Sequence, residues 1–235
     1  MNFLGIIIVI TGFLALYWVF YGQRKHNDMF IPKRKTKLKA ILFDMDGVII
    51  DSFESSLNIF NDMRKHLKFS PMTKEEYRKK AWGKYIENNA KKYLKINSME
   101  EVKEEYEESV KKHKYNAKLM PKARDVLAKI RKKGIKTGLV TNTKRKFTMK
   151  ILENNKIKSL FDVVVTADDV EKPKPYPDSI LKACEKLQVE PDETIFVGDT
   201  DNDYKAGKGA GCLVVGLNTD GDLVIDKLSD VMELV

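Results

Sequence analysis

Five short apolar runs, at 40–43, 135–140, 161–165, 194–197 and 212–215, recur along the chain with helix-period segments between them. A run that is apolar on successive residues reads as a strand buried on both faces. Segments 122–133, 146–155, 178–187 and 203–210 have helical periodicity, and Gly134 stands where a helix C-cap before the second strand is wanted. Buried strands alternating with helices predict an α/β architecture, a parallel sheet covered on both faces.

Residues 52–118 break the alternation. They contain no strand pattern and are rich in Lys, Glu, Asn and Tyr. Helices are expected over about 53–68, 74–95 and 98–115, separated by Pro71 and by Ile96-Asn97-Ser98, with Ser98 and Glu101 spaced as a capping box. The expectation is a small helical domain inserted after the first strand.

Residues 1–23 carry no charged side chain, and 3–21 are nearly all aliphatic or aromatic. About 20 apolar helical residues span a bilayer core of roughly 30 Å. Tyr17, Trp18 and Tyr21 are placed as an interfacial belt, and a basic stretch follows. The expectation is an N-terminal transmembrane helix over 1–23 and a basic linker over 24–39. The positive-inside rule then makes this a single-pass membrane protein with its catalytic domain cytoplasmic. A cleaved signal peptide would want a basic residue before the apolar run and a small-residue cleavage site after it; neither is present.

The formal net charge of +9 takes its meaning from this division. Residues 1–40 hold seven bases and one acid, net +6; residues 52–118 are net +5, and the remainder is net −2. No nucleic-acid recognition motif accompanies the charge, so no nucleic-acid partner is expected. Cys184 and Cys212 form no CxxC pair and read as small buried hydrophobes, and His26, His66 and His113 have no metal-ligand spacing.

In an open parallel sheet the binding crevice lies beyond the carboxyl ends of the strands. Asp44-Met45-Asp46-Gly47 follows the first strand, Thr141-Asn142 the second, Lys172-Pro173-Lys174-Pro175 the third, and Gly198-Asp199-Thr200-Asp201-Asn202-Asp203 the fourth. Carboxylates, a hydroxyl and a lysine thus converge on one crevice. This set, in order and spacing, resembles the haloacid dehalogenase superfamily in its phosphatase branch, and is most similar to phosphoglycolate-phosphatase-like and β-phosphoglucomutase-like members. The resemblance runs from about residue 40 to the C-terminus.

It implies a Rossmann-like three-layer core, 40–51 and 119–235, with 52–118 as a helical cap. Phosphoryl transfer needs a nucleophile, neutralised phosphoryl oxygens and a proton donor for the leaving group. Asp44 fits the nucleophile, forming an aspartyl-phosphate, and Asp46 fits the general acid and then base. Gly47 permits the tight turn between strand and crevice. Two carboxylates facing a phosphate dianion call for a hard cation, Mg²⁺. The resemblance implies Asp44, the backbone carbonyl of Asp46 and Asp199 as its ligands, with Asp203 water-mediated; Asp201 reads as exposed or helix-capping. Thr141 and Asn142 are expected on phosphoryl oxygens. Two lysines precede prolines, and the family pattern Lys-Pro-x-Pro assigns the catalytic role to Lys172 rather than Lys174. Trp82-Gly83-Lys84-Tyr85 is similar to a substrate-specificity loop, which makes Lys84 and Tyr85 candidates for the substrate's non-phosphate end.

The function expected is hydrolysis of a small phosphorylated metabolite, phosphoglycolate or a sugar phosphate. The alternatives are a phosphomutase of the β-phosphoglucomutase type and a membrane-tethered, non-enzymatic interaction module.

Overall fold

The structure is a computed structural model that describes residues 36–235. The expected anchor over 1–23 and most of the linker over 24–39 lie outside the described residues. Among the described residues no helix is long and apolar enough to cross a membrane.

Six strands form one parallel sheet: β1 (Ala40–Phe43), β2 (Lys136–Val140), β3 (Val163–Val165), β4 (Thr194–Gly198), β5 (Leu213–Leu217) and β6 (Leu223–Ile225). Their order is β3-β2-β1-β4-β5-β6. The last strand was not expected from the sequence, because Leu223-Val224-Ile225 is short and leaves Val224 exposed at the sheet edge. All four residues of β1 are fully buried, as a central strand covered on both faces requires. Ala40 and Leu42 pack with Ile180, Ala183 and Leu187 of a helix (Asp178–Leu187) and with Ala206 of another (Asp201–Ala210). The helix at Ala123–Lys132 buries Val126, Leu127 and Ile130. Cys184 and Cys212 are buried, as expected of small hydrophobes.

Numbered in chain order, the helices are α1 (Phe53–His66), α2 (Lys74–Lys80), α3 (Ile86–Asn89, continued by a π turn, Ala90–Leu94), α4 (Lys103–His113), α5 (Ala123–Lys132), α6 (Arg145–Asn154), α7 (Asp178–Leu187) and α8 (Asp201–Ala210). The first four make up the insertion between β1 and β2. They share a core of Leu57, Phe60, Met63, Tyr77, Leu94 and Val110, joined by Phe147 of α6. The two connections to the sheet run side by side: Met120 N donates to Ile49 O at 2.9 Å and Asp51 N to Lys118 O at 2.9 Å.

The single helix expected over 74–95 is broken. Its first part ends at Lys80, and Ala81–Tyr85 form a turn in which Gly83 takes φ +71°. An added Cβ there would stand 2.4 Å from Thr200 Cγ2, so the turn packs against the β4–α8 loop only because this residue has no side chain. The Ser98/Glu101 capping box is present, opening a 3₁₀ turn (Met99–Val102) that runs into α4.

Candidate active site

The strands deliver their polar ends to one crevice on either side of β1. Asp44, immediately after β1, is 6% exposed. Its Oδ1 accepts from Lys174 Nζ at 2.6 Å, and its Oδ2 has no hydrogen bond among the described residues. Lys174, 3% exposed, also donates to Asp203 Oδ1 at 2.6 Å and Val140 O at 3.2 Å. This corrects the lysine assignment. Lys172 is exposed, its ammonium 5.6 Å from the Tyr176 ring centroid, and it takes no part in the crevice.

Asn142 lines the same crevice, and its side chain is tied to the Lys174 backbone. Its Nδ2 donates to Lys174 O at 2.9 Å and its Oδ1 accepts from Lys174 N at 3.0 Å. Both amide atoms therefore clasp the backbone of the lysine that reaches Asp44. Thr141 is buried beside the crevice, where its Oγ1 accepts from Thr143 N at 3.1 Å and leaves the hydroxyl proton to be donated.

Asp46 has a separate set of partners. Its Oδ1 accepts from Ser52 Oγ at 2.5 Å and pairs with Lys114 Nζ at 2.8 Å, and its Oδ2 accepts from Thr143 Oγ1 at 2.7 Å. Burial pushes its carboxyl upward, but the Lys114 ammonium and these hydrogen bonds outweigh that and hold it below the usual range. The sequence reading missed Lys114, Thr143 and Ser52. Lys114 follows α4 and is 68 residues from Asp46, so no local pattern marks it.

The carboxylates of Asp44, Asp199 and Asp203 bring ligand atoms within 4.8 Å of one another. Burial, then the neighbouring Asp203 and Asp46 charges, push Asp44 up to about 7 despite Lys174. Burial, then Asp203 and Asp44, push Asp199 up to about 8. One lysine thus does not neutralise three acids. Asp199 Oδ2 accepts from Trp82 Nε1 at 3.0 Å, while its Oδ1 is buried with no partner. An orphaned carboxylate oxygen beside two further acids fits a hard dication. Both oxygens of Asp203 are already engaged, Oδ1 by Lys174 and Oδ2 by Thr200 Oγ1 at 2.5 Å and Thr200 N at 3.1 Å. That suits a water-mediated role. Asp201 is exposed and paired with Lys205.

The insertion reaches this cluster through Trp82 and through Gly83 O, which accepts from Asn202 Nδ2 at 2.8 Å. Beyond Asp44 and Asp46 lies a cavity of about 90 Å³ walled by Ile59, Tyr77, Ile86, Tyr106, Val110 and Phe147. Lys84 lies on its rim, exposed, with Nζ turned to Lys80 O at 2.6 Å. Tyr85 lies outside the lining.

The sequence model of the haloacid dehalogenase-like hydrolases matches residues 41–217, the whole stretch that carries these groups. The chain belongs to that family. It is 32% identical to the phosphoglycolate phosphatase of Aquifex aeolicus over 211 residues, covering 84% of this chain and 97% of that one. It is 30% identical to the pyrophosphatase PpaX of Bacillus mycoides over 213 residues, covering 85% and 97%. Among solved structures, the fold is similar to CbbY of Rhodobacter sphaeroides in complex with phosphate, with TM-score 0.72, 22% identity and 83% and 96% coverage. It is also similar to β-phosphoglucomutase of Clostridium difficile, with TM-score 0.70, 21% identity and 83% and 93% coverage. As a haloacid dehalogenase-like protein with this site, the chain is a phosphatase-type hydrolase.

Proposed function

We propose that the chain is a Mg²⁺-dependent phosphatase of small phosphate monoesters, working through an aspartyl-phosphate on Asp44. The observation that carries this reading is one unbonded carboxylate oxygen, Asp44 Oδ2, beside a second carboxylate, Asp46, on the cavity wall. Asp44, Asp199 and, through water, Asp203 would hold the metal. When bound, Mg²⁺ offsets the negative charge of the acids and of the phosphoryl oxygens.

Asp44 Oδ2 attacks phosphorus, and the leaving oxygen departs with a proton from Asp46, which Lys114 holds ionised in the free protein and which must first take up a proton beside the bound phosphate dianion. Asp46 then takes a proton from water, whose oxygen attacks the phosphorus, releasing phosphate and restoring the Asp44 carboxylate. The Thr141 hydroxyl donates to a phosphoryl oxygen. Lys174 holds Asp44 in place and adds positive charge beside it.

The insertion acts as a cap. The cavity beside Asp44 and Asp46 is small, about 90 Å³. That supports a small leaving group, and phosphoglycolate, sugar phosphates and pyrophosphate form the panel to test. Phosphate release with Mg²⁺ is expected from at least one of them, and Asp44→Asn is expected to abolish it. Folded, metal-loaded protein that turns over none overturns the reading.

The apolar run over 1–23 and its basic flank support a single-pass anchor with the hydrolase on the cytoplasmic side. Full-length protein should stay in the membrane fraction after alkaline carbonate washing, and protein lacking residues 1–23 should not.

A further inference from the structure

Lys114 stands apart from the other cations of the cavity. Lys174 is enclosed between Asp44 and Asp203, and Lys84 is exposed on the rim. Lys114 comes from the insertion, is 8% exposed, and lines the cavity next to Asp46. An ammonium has three N–H donors. Asp46 Oδ1 at 2.8 Å and Thr143 Oγ1 at 3.3 Å take two of them, and among the described residues the third has no acceptor. The same cavity is lined by Ile59, Tyr77, Ile86, Tyr106 and Phe147, which bring no charge, and by the neutral polar Ser56 and Asn89.

We propose that Lys114 is a specificity-determining residue whose ammonium receives an anionic group on the leaving side of the substrate. The class selected is phosphate esters whose leaving group carries a carboxylate or a second phosphate. This rests on the phosphatase reading above. Lys114 contacts the same carboxylate that serves the leaving oxygen, so the anionic group must lie within about two or three bonds of that oxygen. In a cavity partly shielded from solvent such a contact is less screened than in open water, and its loss is worth roughly 10- to 100-fold in kcat/KM.

The competing view is that Lys114 only holds Asp46, which would affect all substrates alike. The test compares two esters of equal length, 2-phosphoglycolate and ethylene glycol monophosphate, with Mg²⁺ present. The wild type is expected to favour the charged ester by about 10- to 100-fold in kcat/KM. Lys114→Met should bring that ratio to within about threefold of unity, and Lys114→Arg should restore it. Lys114→Gln serves in place of the Met variant should the latter fail to fold. A wild type without preference, or a neutral variant that slows both esters equally and keeps the ratio, overturns the assignment while the phosphatase reading stands. A wild type that releases phosphate from neither ester nor any other monoester overturns both.

Discussion

Replacing Lys174 by Met removes an ammonium and keeps most of the stem's volume. Its Nζ lies 2.6 Å from both Asp44 Oδ1 and Asp203 Oδ1, and both carboxylates are buried. Breaking a buried pair by deleting one partner costs about 3–5 kcal/mol, because the remaining charge is left without compensation. Here two acids lose the same partner, and Asp199 adds a third charge within 4.8 Å. Partial protonation limits the cost, since Asp44 and Asp199 already titrate near 7 and 8. At roughly 2–4 °C per kcal/mol for a domain of this size, the metal-free variant should melt about 6–20 °C below the wild type at pH 8. Loss of a positive group beside the phosphoryl oxygens should lower kcat by about 10²–10³-fold. The control is Lys172→Met. That side chain is exposed, has no hydrogen bond or ion pair among the described residues and lies 5.6 Å from the Tyr176 ring centroid, so its removal should stay within about 0.5 kcal/mol and leave activity within about twofold. Differential scanning fluorimetry and steady-state phosphate release measure both variants. Activity lost with Lys172→Met and kept with Lys174→Met would refute the reasoning.

Metal and pH should be linked. Asp44 and Asp199 are raised in the folded protein to about 7 and about 8 from an ordinary 3.8, so the folded state holds more protons than the unfolded one over that span. Metal-free stability therefore falls as pH rises from about 4 to 8, and Mg²⁺ should raise Tm more at pH 8 than at pH 5.5; an equal or reversed gain in thermal scans refutes this. Asn142→Ala removes both bonds to the Lys174 backbone and should lower kcat about 10- to 100-fold with little change in KM, read by steady-state kinetics. Gly83→Ala places a Cβ 2.4 Å from Thr200 Cγ2 at φ +71°, and should lower Tm and raise KM by loosening the Trp82 contact. Gly134→Ala has a similar φ, +75°, but open space around it, and should cost only about 1 kcal/mol with KM unchanged.

The sequence by itself determined five of the six strands and the acids beyond their ends. Apolar runs of strand length separated by helix-period segments leave few arrangements other than a covered parallel sheet, and strand ends place Asp44, Asp46, Thr141, Asp199 and Asp203 at one crevice whatever the loops do. Those are local signals, read within a few residues of chain. The tertiary structure decided between Lys172 and Lys174, because both are followed by Pro-x-Pro and only the fold shows that the Asn142 amide clasps Lys174 and its ammonium reaches Asp44. It also gave Asn142 a second task as a support for Lys174, and divided the expected helix over 74–95 where Gly83 meets Thr200. It alone brought Lys114 to Asp46 and Trp82 to Asp199, 117 residues away. Such pairings are set by how the insertion closes on the sheet, and a side chain's partner across that closure leaves no periodicity in the sequence.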